Sequence, residues 1–499
     1  MIARTTMGDV SGIERDGAWM YRGIPFAAPP TGSRRFRAPE PPEPWSGVRD
    51  GSRFGPMAPQ GVGGIEAMLG AGRFEQSEDC LYLNVATPAA DDGQRPVLVW
   101  IHGGGFQTGS GSVPWYHGTR LAARYGVVVV SINYRLGALG FSHLAGLGEA
   151  YAGSGNAGIL DQIAALEWVR DNIAAFGGDP GNVTIFGESA GGMSVGTLLG
   201  APAAAGLFRR AIAQSGACQA ASSAEQAAAI AERVGERFGG LEGILEAPAD
   251  ELLAAQDEVF AASRLGAGEG PLLPFQPVVD GVILPTPPLE AVAAGSASEV
   301  DVLAGTTAHE FTLFTLSFPA EAMTEERLAR NVARVAGHRA AEVIDGYRAV
   351  HPGASAADLL VAISTDLVFR LPCEELLAAH AAAATTGSTR SYLFSYESPA
   401  FEGRLRSTHA LEIPFVFGVV DRPGNELFVG PMDDDVRALG DACSSAWATF
   451  ATNGEPVAEG LPTWPAWDAE RRTTMELGAQ RRVVDDPGAA TRLVWAAVS

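Results

Sequence analysis

A serine between closely spaced glycines is the pattern in this 499-residue chain that is best suited to chemistry. Gly187-Glu188-Ser189-Ala190-Gly191 fits G-x-S-x-G. The apolar run 183–186 predicts a buried strand before it, and the residues from Met193 onward predict a helix after it. A serine on a sharp strand-to-helix turn is exposed as a nucleophile and tolerates only small neighbours. A glycine-rich turn that merely contains a serine is the alternative, and the strand and helix favour the nucleophile.

A serine hydroxyl attacks only when a base removes its proton, and the usual base is a histidine held by a carboxylate. In proteins with such a turn, the acid and then the histidine follow the serine along the chain. Five of the eight histidines follow Ser189: His309, His338, His351, His380 and His409. The middle three lie in predicted helices, where we expect solvated side chains. His409 lies on a loop after the predicted strand 392–395, which suits a catalytic base.

His309 competes with His409 because it also follows a predicted strand, 300–304. If His309 were the base, no carboxylate at a strand end would fall between it and Ser189. With Glu310 as the acid, His409 completes the expected order. Asp280 is a rival acid, but the sequence Val-Val-Asp-Gly-Val around it is typical of a turn aspartate.

A second glycine-rich stretch, His102-Gly103-Gly104-Gly105-Phe106, follows the apolar run 97–101. Its backbone N–H groups, with that of Ala190, could bind the oxyanion of a tetrahedral intermediate. One such donor lowers a barrier by about 2.7–4 kcal/mol. A phosphate-binding loop is the alternative, and it is disfavoured because no Lys-Ser/Thr pair follows.

The elements that must position these groups alternate between buried strands and helices. Further strands are predicted at 77–85, 127–134, 211–214 and 473–477, and helices at about 159–176 and 442–450. This alternation predicts an α/β fold with a large, mostly parallel mixed sheet flanked by helices. We expect one domain over residues 1–499, with helical insertions over the active site at about 221–265 and 311–384. Prolines in 21–39 predict an ordered surface segment outside sheet interiors.

Composition narrows the function classes. The chain is 46% hydrophobic, which allows a large core, and its net charge of −23 argues against nucleic acid or an anionic membrane as partners. The four cysteines have no metal-ligand spacing, so we expect buried thiols and neither metal nor cofactor. The N-terminus has no apolar signal core, and no run is long enough to span a membrane. We therefore expect a cytoplasmic protein.

The order of these motifs resembles the type-B carboxylesterase and cholinesterase family, and within it the bacterial para-nitrobenzyl esterase-like carboxylesterases. The resemblance covers nearly the whole chain. It rests on the proline-rich 21–30, Glu78-Asp79-Cys80-Leu81-Tyr82-Leu83-Asn84, the loop 102–106, Asn133-Tyr134-Arg135, Gly155-Asn156 with Asp161-Gln162, and the block 176–192.

The resemblance implies a serine carboxylesterase that cleaves small-molecule esters through an acyl-enzyme. It implies Ser189 as nucleophile, Glu310 as acid and His409 as base. Gly104, Gly105 and Ala190 are implied as the oxyanion hole, with Glu188 and Ser215 as supporting residues. It also implies that Arg135 and Asp161 form a structural ion pair. We expect Phe106 to line the acyl side of the pocket, with ordinary core packing as the alternative.

One departure from the family pattern argues against cholinesterase specificity. Residues 56–77 contain neither a tryptophan nor a cysteine that could pair with Cys80, so the disulfide-closed loop of cholinesterases is absent. Three alternatives stay open: a binding or adhesion protein on an esterase scaffold, a lipase or amidase, and a hydrolase dedicated to one pathway's ester. We expect a monomer or a homodimer. Specificity should depend on the loops at about 56–77, 255–275 and 311–320.

Overall fold

An eleven-stranded mixed sheet is the centre of the protein. The computed structural model describes residues 1–61, 74–264 and 273–498. The strands in these ranges are β1 (Ile2–Arg4), β2 (Asp9–Ser11), β3 (Ile13–Arg15), β4 (Ala18–Pro25), β5 (Val48–Asp50), β6 (Tyr82–Thr87), β7 (Arg95–Ile101), β8 (Val128–Ile132), β9 (Gly178–Glu188), β10 (Arg210–Gln214), β11 (Ser222–Ser223), β12 (Val278–Val279), β13 (Asp301–Thr307), β14 (Thr389–Phe394), β15 (Thr473–Leu477) and β16 (Arg481–Asp485).

The order of the main sheet is β16-β15-β14-β13-β10-β9-β7-β8-β6-β4-β3. Strands from β8 through β15 pair in parallel, and the pairs at the two edges are antiparallel. The strands β1, β2 and β5 form a small separate sheet, and β11 pairs with β12. The expected α/β class, with a large and mostly parallel sheet, is confirmed. Because the carboxyl ends of the parallel strands meet at one edge, residues distant in sequence converge there.

Helices connect and cover the strands. The α-helices in the described ranges are α1 (Thr119–Tyr125), α2 (Gly137–Phe141), α3 (Ala157–Asn172), α4 (Ala190–Gly200), α5 (Ala224–Gly235), α6 (Leu241–Glu246), α7 (Ala249–Arg264), α8 (Pro288–Ala293), α9 (Thr312–Thr315), α10 (Glu325–Ala336), α11 (Ala340–Val350), α12 (Ala356–Thr365), α13 (Leu371–Ala383), α14 (Ile413–Val416), α15 (Glu426–Val429), α16 (Asp434–Asn453) and α17 (Ala489–Val498). Short 3₁₀ turns lie at Gly32–Arg34, Pro114–Tyr116, Ala145–Leu147, Glu149–Tyr151, Ser154–Asn156, Ile173–Phe176, Pro202–Ala204, Glu236–Phe238, Ala320–Ala322 and Gly337–Arg339. A π-helical turn, Asp366–Arg370, joins α12 to α13.

The sheet is buried on both faces. In β7, Val97, Val99 and Ile101 pack into one core cluster, whereas Leu98 and Trp100 pack into a second cluster on the opposite face. Alternate residues of a strand point to opposite faces, so an unbroken apolar strand requires cover on both sides. Helices α3 and α4 contribute to the first cluster and α16 to the second. A third, smaller cluster lies among α10, α11 and α12.

The proline-rich segment differs from the expectation. Tyr21 to Pro25 belong to β4, which pairs antiparallel with β6 and is largely buried. The prediction failed because the prolines fall at the end of the strand and after it, and the pairing register shifts between Tyr21 and Ile24. The assignment of the whole chain to one domain stays a prediction.

His380 was expected to be solvated, but it is buried: its Nδ1 lies 2.7 Å from Thr389 Oγ1 and its Nε2 lies 3.1 Å from the Ala297 carbonyl. The helix α13 turns this histidine inward against the sheet.

Parts of the expected specificity loops, 62–73 and 265–272, lie outside the described residues. Among the described helices, none is long and apolar enough to cross a membrane.

Candidate active site

Ser189 lies at the junction of β9 and α4. Its φ is 58° and its ψ is −124°. Residues other than glycine rarely adopt this backbone conformation. The Ser189 N–H donates to the Gln214 carbonyl at 2.9 Å, and its own carbonyl accepts from the Met193 N–H at 2.8 Å. The strained residue is thus tied to both neighbouring elements. Its side chain is partly exposed at the N-terminus of α4, where the helix dipole favours negative charge.

The positions of Gly187 and Gly191 leave no room for a side chain. A Cβ at Gly191 would lie 2.0 Å from the Ile101 carbonyl oxygen, and one at Gly187 would lie 2.6 Å from the backbone of Gly191. Strand β7 therefore passes directly against the turn. This close approach explains why both flanking positions of the G-x-S-x-G pattern lack a side chain.

Glu310 and His409 meet although 99 residues separate them. Glu310 follows β13, and its Oε1 accepts from the Thr307 N–H at 2.7 Å. Its Oε2 lies 2.6 Å from Nδ1 of His409. Both side chains are buried, and the His409 N–H donates to the Glu310 carbonyl at 3.4 Å. The carboxylate therefore fixes the tautomer of the imidazole and restrains the position of its Nδ1.

The other nitrogen of His409 faces a second carboxylate. Its Nε2 lies 3.0 Å from Oε1 of Glu188, but the two atoms are not aligned as a hydrogen bond. No described residue is a hydrogen-bond partner of this Nε2. Burial lowers the pKa of His409, but the carboxylates of Glu188 and Glu310 outweigh burial and raise it above its usual value. Burial raises the pKa of Glu188, and the nearby imidazole partly offsets that effect.

The loop 102–106 crosses the same edge of the sheet. A Cβ at Gly103 would lie 3.0 Å from Cβ of Ser189, so the loop passes directly beside the serine. Gly104 and Gly105 have φ values of 107° and 62°. Among the described residues, none accepts a hydrogen bond from the N–H of Gly104, Gly105 or Ala190. These three donors are therefore free to bind an oxyanion.

His102 attaches this loop to Tyr134. Its ring stacks on Tyr134 at 4.5 Å between centroids, and the Tyr134 hydroxyl donates to the His102 carbonyl at 2.9 Å. Burial lowers the pKa of His102 to about 4. The histidine is therefore neutral at physiological pH, and its role in the loop is to support the backbone.

Known proteins resemble this chain in sequence and in fold over nearly its full length. A model of the Carboxylesterase family matches residues 1–494. The chain is 40% identical over 496 residues to para-nitrobenzyl esterase of Bacillus subtilis (strain 168), with 98% of this chain and 97% of that protein covered. It is 36% identical over 485 residues to phenmedipham hydrolase of Pseudarthrobacter oxydans, with 96% and 95% covered. A solved carboxylesterase of Geobacillus stearothermophilus superposes with a TM-score of 0.87, at 42% identity and 99% coverage of both chains.

The chain belongs to the Carboxylesterase family. It is a carboxylic ester hydrolase of the type-B carboxylesterases, with the α/β-hydrolase fold. The resemblance inferred from the motifs, including that to para-nitrobenzyl esterase, is confirmed.

Two residues named from the sequence lie apart from the groups above. Phe106 is fully buried and packs edge-on against Phe141, with ring centroids 5.2 Å apart. This position matches the packing alternative, and a role in the esterase's substrate pocket stays a prediction. Ser215 has a φ of 48°, and its N–H donates to the Gly305 carbonyl at 2.8 Å. Its buried Oγ has no hydrogen-bond partner among the described residues, so its support of Glu310 also stays a prediction.

Sequence reasoning missed the third buried carboxylate that acts on His409 in the esterase. Glu412 accepts from Nε2 of Gln214 at 3.0 Å, and Oε1 of Gln214 accepts from Nε1 of Trp447 at 3.0 Å. Burial and the nearby Glu310 raise the pKa of Glu412. The available signal was its position three residues after His409 in an otherwise apolar stretch.

Two aromatic rings that sequence reasoning also missed contact the His409 imidazole. The centroid of Phe369 lies 4.7 Å from that of the imidazole, and the centroid of Phe314 lies 5.4 Å away. Phe369 is buried, whereas Phe314 is 42% exposed. Among the described residues, no group of three or more His, Cys, Asp or Glu side chains could hold a metal ion.

Proposed function

We propose that this carboxylesterase cleaves small-molecule esters through an acyl-enzyme on Ser189, with His409 as general base and acid and Glu310 as its orienting carboxylate. One observation carries the proposal: Nδ1 of His409 lies 2.6 Å from the buried Glu310, while Nε2 has no partner among the described residues at the edge of the sheet where Ser189 lies. A histidine held in this way is a base with a single free nitrogen.

The first step forms the acyl-enzyme. Nε2 of His409 takes the proton of the Ser189 hydroxyl as the oxygen attacks the ester carbonyl carbon. The carbonyl oxygen becomes negatively charged and is bound by the N–H groups of Gly104, Gly105 and Ala190. The imidazolium, stabilised by Glu310, then protonates the leaving alkoxide, and the alcohol departs.

The second step regenerates the enzyme. Water takes the position of the departed alcohol and gives a proton to Nε2 of His409 as its oxygen attacks the acyl carbon. The same three N–H groups bind the second oxyanion. The C–O bond to Ser189 breaks, its oxygen recovers the proton from His409, and the carboxylic acid is released.

Charge and cysteine state support the wider proposal. The net charge of −23 disfavours strongly anionic ligands, which suits a neutral ester. All four cysteines are buried and free, which is consistent with a reducing compartment such as the cytoplasm. The proposed mechanism uses no metal or cofactor. We propose that the protein is a monomer or a homodimer.

Replacement of the nucleophile tests the mechanism. Ser189→Ala should lower kcat for p-nitrophenyl butyrate by about 10⁵-fold to 10⁶-fold and abolish the pre-steady-state burst of p-nitrophenol. Ser445→Ala, the same change on α16, is the matched control and should retain the full burst. Turnover by Ser189→Ala within tenfold of the wild-type rate would overturn the proposal. So would a burst that persists in this variant.

A further inference from the structure

The residues that contact His409 include one presented by an unusual turn. Helices α12 and α13 are joined by the π-helical turn Asp366–Arg370. Such turns are rare and occur frequently at functional sites. Here the turn carries Phe369, which is 3% exposed and packs with its ring centroid 4.7 Å from that of the His409 imidazole.

A chain of hydrogen bonds runs from the C-terminal helix α17 to this turn. Nε1 of Trp495 donates to the Tyr347 hydroxyl at 2.9 Å, and that hydroxyl donates to Oδ2 of Asp366 at 2.6 Å. Asp366 is buried, and its Oδ1 accepts from Nη1 of Arg370 at 2.5 Å. Nη2 of Arg370 donates to the Ala308 carbonyl at 3.2 Å. Ala308 lies two residues before Glu310, so the chain ends beside the proposed acid.

Helix α17 is itself firmly attached. It packs on α11 at Gly346, where a Cβ would lie 2.7 Å from Val494. Nη2 of Arg339 donates to the Ala497 carbonyl at 2.8 Å, and Nε of Arg492 lies 3.1 Å from Oε2 of Glu374 on α13. The helix therefore contacts α11 and also α13, which directly follows the π-helical turn.

We propose that Phe369 is a positioning residue for His409 and that helix α17 holds it in place through Trp495, Tyr347 and Asp366. The proposal rests on the function proposed above, because it assigns a role to the His409 side chain during catalysis. It makes the C-terminal helix part of the catalytic apparatus, although that helix lies outside the site.

The surroundings of His409 explain why its ring must be held. Its Nε2 lies 3.0 Å from Oε1 of Glu188 without hydrogen-bond alignment, so a small rotation of the imidazole would align it with that carboxylate. Glu310 fixes one nitrogen, but a single hydrogen bond permits rotation about its own axis. A phenyl ring packed on the imidazole restricts that rotation. An aromatic ring can also stabilise the imidazolium that forms in each step.

The charged groups that face His409 come from three elements. Glu188 lies at the end of β9, Glu310 follows β13, and Glu412 lies three residues further along its own segment. Phe369 and Phe314 are the uncharged groups in ring contact with it. Substitution of Phe369 therefore changes the orientation of the base and leaves all three carboxylates in place.

The first experiment replaces Phe369 by leucine, which keeps apolar volume but removes the flat ring. Phe369→Leu should lower kcat for p-nitrophenyl acetate and p-nitrophenyl butyrate equally, by about fivefold to tenfold, with KM changed by less than about twofold. Active-site titration should give the wild-type count of acylated sites. Phe428→Leu, the same change on a buried phenylalanine beside Trp115, is the matched control and should retain kcat.

The second experiment tests the connection to the C-terminal helix. Trp495→Phe removes the indole N–H that donates to Tyr347 and should lower kcat in the same direction, by about twofold to threefold. Combined with Phe369→Leu, it should cause no further loss, because both changes act through one contact. Trp464→Phe removes an indole hydrogen bond to the Ser391 carbonyl and is the matched control.

The remaining outcomes decide against the proposal. A change in KM that depends on acyl-chain length, with kcat retained, would make Phe369 a substrate-pocket residue. Altered thermal stability in Trp495→Phe with an unchanged kcat and pH profile would give α17 a purely structural role.

A third experiment observes the imidazole directly: the downfield proton NMR signal of the His409 Nδ1–H should broaden or shift in Phe369→Leu. This signal requires no turnover, so it tests the positioning even if Ser189→Ala overturns the proposed mechanism.

Discussion

At the scale of single residues, the carboxylate of Glu188 controls how readily His409 loses its proton. Its Oε1 lies 3.0 Å from Nε2, and together with Glu310 it raises the pKa of the imidazole. In the proposed mechanism, His409 must be neutral to accept a proton from Ser189. An ionised Glu188 therefore keeps the proposed base protonated and inactive up to a higher pH, whereas burial of Glu188 opposes its ionisation.

Removing that charge should shift the pH profile in a defined direction. Glu188→Gln should lower the pKa of His409 and move the acid limb of kcat/KM to lower pH by about one unit or more. The check is kcat/KM for p-nitrophenyl butyrate across the pH range, with the exposed Glu342→Gln as the matched control. An acid limb that stays in place, or moves to higher pH, would show that Glu188 is not an anion beside the base.

The sequence identified some of these residues more readily than others. Ser189 has a local pattern, and the order of chain positions selected Glu310 and His409, which the structure brings within 2.6 Å of each other. Glu412 and Phe369 have no such pattern. A carboxylate inside an apolar stretch and a phenylalanine in a long helix are compatible with many positions, and only the tertiary packing determines what they contact.

At the scale of elements, apolar periodicity predicted the strands that build the site, because buried parallel strands are short unbroken apolar runs. It missed the turn Asp366–Arg370, since a single i to i+5 turn leaves no trace in helical spacing. It also missed β4, whose terminal Pro25 and irregular pairing hide a buried strand. Elements that follow regular geometry were predictable, and those with a local irregularity were not.

A buried ion pair joins two of these elements and can be tested by itself. Arg135, which follows β8, donates from Nε and Nη2 to the two carboxylate oxygens of Asp161 on α3, at 2.8 and 2.7 Å. The side chains are 4% and 0% exposed. Asp161→Asn leaves the arginine charge buried without its counterion and should lower the free energy of unfolding by about 3–5 kcal/mol.

Urea denaturation followed by tryptophan fluorescence would measure this loss. Asp171→Asn, on the same helix, breaks the exposed pair with Arg170 and should cost less than about 1 kcal/mol. Equal losses in the two variants would contradict the assignment of Arg135 and Asp161 as a structural pair. Retention of the Ser189 burst in the folded fraction of Asp161→Asn would separate stability from catalysis.

At the scale of the whole molecule, the parallel sheet is what brings the site together. Ser189, Glu310 and the loop 102–106 follow β9, β13 and β7, which are parallel strands within the run β13-β10-β9-β7, so the sheet order places them at one edge. His409 reaches the same edge on the long connection between β14 and α14. Motif order predicted which residues meet, but their distances depend on packing across both faces of the sheet.

Global stability should depend on pH through a buried histidine far from the mechanism. His117 is 5% exposed, and its ring stacks on Phe54 with centroids 5.3 Å apart. Burial lowers its pKa to about 3, with further lowering from nearby arginines. Below pH 6.5 the unfolded chain therefore binds a proton at this position that the folded protein does not, so acid favours unfolding.

Between pH 7 and pH 5 this single group should cost about 2 kcal/mol of unfolding free energy. His117→Gln keeps an amide that can donate to the Ser112 carbonyl, the contact His117 makes at 3.3 Å, but it cannot be protonated. Urea unfolding at both pH values should therefore show the variant losing about 2 kcal/mol less than the wild type on acidification. His338→Gln, the same change on an exposed histidine, controls for the substitution. Parallel pH dependence in wild type and His117→Gln would mean that His117 accepts its proton in the folded state, and its burial against Phe54 would then not control acid stability.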